Sequence, residues 1–246
     1  MDRLALLLLF GAISSVVAGH VLEGGSLSSL WNVPALLIVF GGSLLALAVQ
    51  TPTYLGLRAL KLLSWLLAPP QTSIDQLLTK LTACSHAYRK NGVLGLDRIA
   101  QTENDPVMRR ALVMLVDGQQ LSAIEKSIRL EIETHQEKDL YAAEVFDSLG
   151  GYLPTLGIVG AVLGLMQVLS NLDQPEELGR GIATAFVATF YGVAAANLIA
   201  IPIAGRLRGF IQQRTRYHNA MIVGVMAIGE GINPQLIRYR LEGIDI

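Results

Sequence analysis

The distribution of charge constrains this chain more than any other feature. Four stretches, residues 4–22, 33–57, 148–172 and 181–205, contain no Asp, Glu, Lys or Arg. Each is about 19 to 25 residues long, and about 20 apolar residues are enough for a helix to cross the hydrocarbon of a bilayer. Only 16% of the 246 residues are charged and 52% are hydrophobic, whereas soluble domains carry about 25% charged residues. The reading is an all-α membrane protein with four spans. Ahead of the second span, Asn32 is placed to cap the helix and Pro34 falls in its first turn.

The first stretch carries a rival reading. Arg3, the apolar run and Val16-Val17-Ala18 fit a signal peptide with a small-residue cleavage site, and removing residues 1–18 would leave three spans. Gly11, Ser14, Ser15 and Gly19 suit instead a helix retained for packing. Both readings stay open at this level.

Basic residues set the expected orientation. The connection 23–32 contains no Lys or Arg, and the one between the third and fourth stretches carries Asp173, Glu176 and Glu177, with Arg180 at its edge. Residues 58–138 hold eleven basic side chains and residues 206–240 hold six. The positive-inside tendency therefore places both termini and the large middle segment in the cytoplasm. The expected organisation is spans 1 and 2 in residues 1–50, a cytoplasmic helical domain in 51–146, spans 3 and 4 in 147–205, and a cytoplasmic tail in 206–246.

Residues 55–68 place Arg58 and Lys61 on an otherwise apolar helix, as an interfacial helix would, and Pro69-Pro70 ends it. Ser73 is placed to cap a helix running to Lys90, which Asn91-Gly92 breaks. Asp105-Pro106 opens a further helix that stops at Gly118. Beyond it Leu121, Ile124, Ile128, Ile132 and His135 recur at helical spacing. Nothing interrupts that pattern before Gly150-Gly151, so the third span is expected to rise from the middle segment as one long helix.

Enzyme chemistry is not legible. His20, His86, His135 and His218 are scattered without second ligands at metal spacing, and no phosphate-binding loop or nucleophile elbow occurs. GIVGAVLG lies within an apolar run, where its glycines serve packing. The single Cys84 forms neither an internal disulfide nor a zinc site. A net charge of −1 leaves no nucleic-acid footprint. No cofactor is implied.

The third span carries Gly157, Gly160, Ala161 and Gly164; the fourth carries Gly181, Ala185, Ala188, Gly192 and Ala196 on one side. Small residues at this spacing let backbones approach closely, either within the chain or against another protein's helix. Thr189 lies on that face, and a lone Thr in a helix often bonds its own backbone. No span contains an internal Asp or Glu. Ion-coupled membrane proteins keep such costly groups for function, so any carboxylate on an ion path must come from a partner.

These residues resemble the MotA/PomA family, the larger subunit of the flagellar motor stator, and in particular its short PomA/MotC-like members. Similarity extends over nearly the whole chain. YLPTLGIVGAVLGL (152–165) looks like the family's third-helix signature, ATAFVATFYGVAAANLIAIPIAGRL (183–207) like its fourth, and GEGINPQLI (229–237) like its C-terminal GxNPxxI. The resemblance implies a homopentamer around a dimer of a MotB-like, single-span, peptidoglycan-anchored partner whose membrane Asp binds the ion. Pro154 and Pro202 match the family's two functional prolines, and Thr189 matches the threonine beside the partner's Asp. Sodium-driven members tend to have Thr where this chain has Ala161, which implies protons here. Arg89 and Lys90 match the basic pair that faces the rotor switch protein FliG, and Asp97 sits at an expected acid. Arg98 departs from the pattern, replacing what is often a second acid.

Three rivals are weighed against this. The related ExbB/TolQ class, which energises outer-membrane processes, has one span before its large cytoplasmic segment, against two expected here. A purely structural scaffold would pass no ions. A small-molecule transporter is disfavoured by the lack of internal repeats and of charged pathway residues.

Overall fold

The computed structural model describes residues 3–173 and 175–242. Among the described residues every regular element is helical. Helix α1 is Arg3–Leu22, and α2 is Val33–Gln50 with a π turn at Leu37–Gly41. Then follow α3 Thr53–Leu62, α4 Ile74–Asn91, α5 Val93–Thr102, α6 Pro106–Val116 and α7 Leu121–Ser170. Helix α8 covers 175–229 with a π turn at Ala196–Ala200, and α9 is Pro234–Glu242.

The expected caps are in place. The Asn32 side chain accepts from Ala35 N–H at 3.0 Å, Ser73 accepts from Gln76 N–H, and Asp105 accepts from Val107 and Met108 N–H. Gly92 and Gly118, at φ 59° and 72°, make the left-handed turns that end α4 and follow α6. The uncharged run 33–57 is not one helix. Helix α2 ends at Gln50 because Thr51, preceding Pro52, is extended at φ −99° and ψ 121°.

Among the described residues, three helices are long and apolar enough to cross a membrane: Val33–Gln50, Leu121–Ser170 and Leu178–Gly229. The first uncharged stretch forms α1, in which Leu7–Leu22 is a shorter apolar segment.

The chain divides into two compact units. The first comprises residues 1–69 and 139–208, and its buried cluster is small and rich in alanine: Ala35, Val39, Leu153, Val187, Ala188, Ala195, Ala196 and Ala200. Large apolar side chains such as Leu45, Val49, Phe186 and Leu169 stand exposed on it, as on helices whose solvent is lipid.

The second unit comprises residues 70–138 and 209–246 and is built as a soluble domain is. Leu77 and Leu81 of α4, Leu96 of α5, Met108 and Leu112 of α6, and Ile124, Ile128 and Ile132 of α7 are buried together. Met221, Ile222, Val225 and Ile228 of α8 and Ile237 and Leu241 of α9 complete this core. The amphipathic stripe of α7 thus stops at Ile132, and His135, expected on it, is exposed beside Glu131. Helix α8 does not end near residue 205 but runs unbroken to Gly229, and its last turns form a wall of this core.

Candidate functional site

In the first unit, α7 and α8 meet backbone to backbone. A methyl group added at Gly192 would lie 2.5 Å from the Leu153 carbonyl oxygen, and one at Gly164 would lie 2.8 Å from Gly181 O. At Gly157 it would stand 3.0 Å from Ala188 O and 3.5 Å from the Thr189 Cα. The small residues of both helices are therefore engaged with each other within the chain. Helix α2 packs on the same pair, with Leu156 against Gly42 and Ile38 against Gly160.

Thr189 sits beside this seam with its side chain exposed, and its hydroxyl donates to Ala185 O at 3.1 Å. Ala161, next to Gly160, is half-buried. Pro154 lies inside α7, immediately after Leu153, and removes one main-chain donor there. Pro202 is exposed and lies two residues beyond the π turn of α8, where one residue is inserted into the helical ladder. Thr189, Ala161 and Pro154 thus share the α7–α8 pair, with Pro202 further along α8.

Polar ties that the sequence did not disclose pin α2 at both ends. The Asn32 amide donates to Thr184 Oγ1 at 2.9 Å, and the Tyr191 hydroxyl donates to the Leu30 carbonyl. Tyr152 OH donates to Gln50 Oε1 at 2.5 Å, while Gln50 Nε2 donates to Ser148 Oγ at 3.4 Å. Arg58 Nε donates to Asp139 Oδ1 at 2.6 Å, with the carboxylate nearly buried, and Arg208 pairs with Asp147. Spacing alone could not reveal these contacts, which join residues from 61 to 161 positions apart.

The second unit carries the charged hairpin. Arg89 and Lys90 are exposed in the last turn of α4, where cations suit the helix dipole. The turn at Gly92 then brings α5 back along α4, close enough that a methyl at Gly95 would stand 2.4 Å from Ala87 O. Asp97 is half-buried on α5 and accepts from Gln101 Nε2 at 3.0 Å, while Arg98 is exposed. Arg89, Lys90 and Asp97 are thereby gathered on one hairpin.

The same unit holds a polar cluster missed in the sequence, in which Glu103 and His218 are buried. Lys80 Nζ bonds Glu103 Oε1 at 2.7 Å, and that carboxylate also accepts from Asp105 N–H at 2.9 Å. Asp105 Oδ2 meets His218 Nε2 at 3.0 Å. Burial acts to raise the Asp105 carboxyl, but the His218 bond and charge, together with two main-chain N–H groups, hold it below the usual carboxylate range. Burial and the nearby Glu103 push the Cys84 thiol up to about 11, so it stays protonated and unreactive at neutral pH.

Residues 99–219 match the MotA/TolQ/ExbB proton channel family. Motility protein A of Bacillus subtilis is 32% identical over 98% of this chain and 90% of its own length. PomA of Vibrio alginolyticus, a chemotaxis protein, is 30% identical over 98% and 94%. C. jejuni MotAB superposes with a TM-score of 0.92 at 26% identity, covering 98% of this chain and 94% of that one. The flagellar MotAB stator complex of Bacillus subtilis superposes at 0.88 with 32% identity and the same coverage. With identity at this level sustained from one end to the other, the chain belongs to the MotA/PomA family of motility proteins.

Proposed function

We propose that this chain is the ion-conducting stator subunit of a bacterial flagellar motor, coupling proton flow to rotation of the rotor. The observation that carries the reading is its superposition, along 98% of its length, on a flagellar MotAB stator complex. It crosses the inner membrane four times, with α1 as the first span, both termini in the cytoplasm, and residues 51–146 as the cytoplasmic domain. Five copies surround a dimer of a MotB-like single-span subunit anchored to peptidoglycan. Because no span here holds an internal Asp or Glu, the partner supplies the carboxylate.

Protons reach that carboxylate from the periplasm and leave to the cytoplasm past Thr189. Each charge crossing about 100 mV releases about 2.3 kcal/mol. A carboxylate in hydrocarbon demands polar contacts, and protonation removes the demand, so the pentamer can advance to its next subunit. Pro154 and Pro202 supply the local irregularity in α7 and α8 along this path. Ala161 adds no oxygen ligand of the kind a dehydrated sodium ion would need, which favours protons. The hairpin then pushes FliG through Arg89, Lys90 and Asp97. No step calls for a covalent intermediate, a cofactor or nucleic acid.

The family match is shared with ExbB and TolQ proteins. The apolar helices α1 and α2 both precede the 70–138 segment here, and the full-length likeness is to motility proteins. A strain deleted for the gene and any paralogue, complemented with wild type or Thr189→Ala, decides between them. Intact but paralysed flagella rescued by wild type alone establish a stator in which Thr189 acts. Normal swimming in the deletion removes the stator reading.

A further inference from the structure

The tip of the α4–α5 hairpin pairs charge with exposed hydrocarbon. Leu94 is 76% exposed, more than any other described aliphatic residue of its unit, and the adjacent Val93 is 42% exposed. Both stand in the first turn of α5, directly after Gly92, where a solvated turn would ordinarily carry polar residues. They are flanked by exposed Arg89, Lys90 and Arg98. The only acid in this stretch, Asp97, is half-buried and already bonded to Gln101. Residues 89–98 thus carry three exposed cations and two exposed aliphatic side chains on one hairpin. Exposed ion pairs are individually weak and mainly raise the rate of encounter, whereas an aliphatic side chain seated in a recess slows departure.

We infer that Leu94, flanked along the chain by exposed Arg89, Lys90 and Arg98, is the apolar anchor of a docking surface. Its partner is an acidic protein surface on the rotor bearing a recess of about one leucine side chain. The inference rests on the stator reading and adds to it the chemistry of the partner. The cations steer; Leu94 holds. Arg98 makes this chain's surface more basic than the family pattern, so its partner carries more acid at the matching place.

The test measures exchange of fluorescently labelled stator complexes at single motors by photobleaching, with membrane abundance as the control. Leu94→Ser is expected to shorten dwell at the motor by about tenfold, the loss of one partly buried aliphatic contact, with recruitment unchanged. Leu94→Met keeps an apolar anchor and should restore dwell. Arg98→Glu should slow recruitment and leave dwell nearly intact. Wild-type exchange in Leu94→Ser at normal abundance overturns the inference, as does an equal loss in Leu94→Ser and Leu94→Met. Wild-type complexes that never gather at motors would sink the stator reading itself, a different result. A membrane-surface role is separated by hydrogen exchange of the wild-type complex in nanodiscs of phosphatidylcholine with and without phosphatidylglycerol. Protection of residues 89–98 that appears only with the anionic lipid assigns the surface to headgroups and overturns the inference.

Discussion

Asp105 bonds two helices with one carboxylate: Oδ1 caps α6 through the Val107 and Met108 N–H groups, and Oδ2 meets His218 Nε2 of α8 at 3.0 Å. The histidine is nearly buried, so the bond has little competition from water. Asn at position 105 can still cap a helix, whereas Ala cannot. Asp105→Asn is therefore expected to cost about 1–3 kcal/mol through the weakened histidine bond. Asp105→Ala should cost a further 0.5–2 kcal/mol or so for the lost cap. Thermal unfolding of the purified complex in detergent, compared across the two variants, measures both steps.

The same carboxylate sets a pH dependence. Its folded-state value lies below the ordinary one, so its contribution is present above the unfolded-state value of about 3.9 and is lost as pH falls through the lower folded value. Acid unfolding followed by circular dichroism should show an Asp105→Asn variant with a flatter slope below about pH 4 than wild type. Parallel acid limbs would mean that Asp105 does not carry this increment.

Local chemistry was readable in the sequence, and partnership was not. The caps at Asn32, Ser73 and Asp105, and the stripe Ile124, Ile128 and Ile132, depend on neighbours two to four residues away, and all of them hold. The second half of α8 looked like a tail because Arg206, Arg208, Arg214 and Arg216 crowd its start, yet Met221, Ile222, Val225 and Ile228 build a core. Periodicity marks an apolar face and does not say what covers it. His135 shows the converse, since spacing extended a stripe one turn beyond the core it serves. At the α7–α8 seam, glycine and alanine announced close approach, but only the fold pairs Gly192 with Leu153 and Gly164 with Gly181. The His218–Asp105 bond, between residues 113 apart, left no sequence signal.

That seam gives a sharp contrast between glycines. A methyl at Gly192 would meet a backbone carbonyl at 2.5 Å, which no side-chain rotation relieves, whereas one at Gly151 would meet nothing within 4 Å. Gly192→Ala should separate α7 from α8 at a cost of about 1–3 kcal/mol or more, while Gly151→Ala should assemble as wild type. Complex yield and melting temperature after purification check the pair. Equal behaviour of the two variants would show that the helices are not in backbone contact.

Thr189 poses a final question, which of its atoms matter. Its hydroxyl donates to Ala185 O, so the oxygen lone pairs remain directed away from its own helix while the methyl sets its shape. If the oxygen serves the ion path, Thr189→Ser keeps function and the nearly isosteric Thr189→Val loses it. A shape role gives the reverse order. The exposed side chain beside the seam favours the oxygen. Proton flux through the complex in proteoliposomes should therefore fall by about tenfold in Thr189→Val, roughly the rate equivalent of one hydrogen bond. It should stay within about twofold in Thr189→Ser, on the same scale. Soft-agar spreading should follow the same order, and a Val variant that conducts and swims normally would remove the hydroxyl from the mechanism.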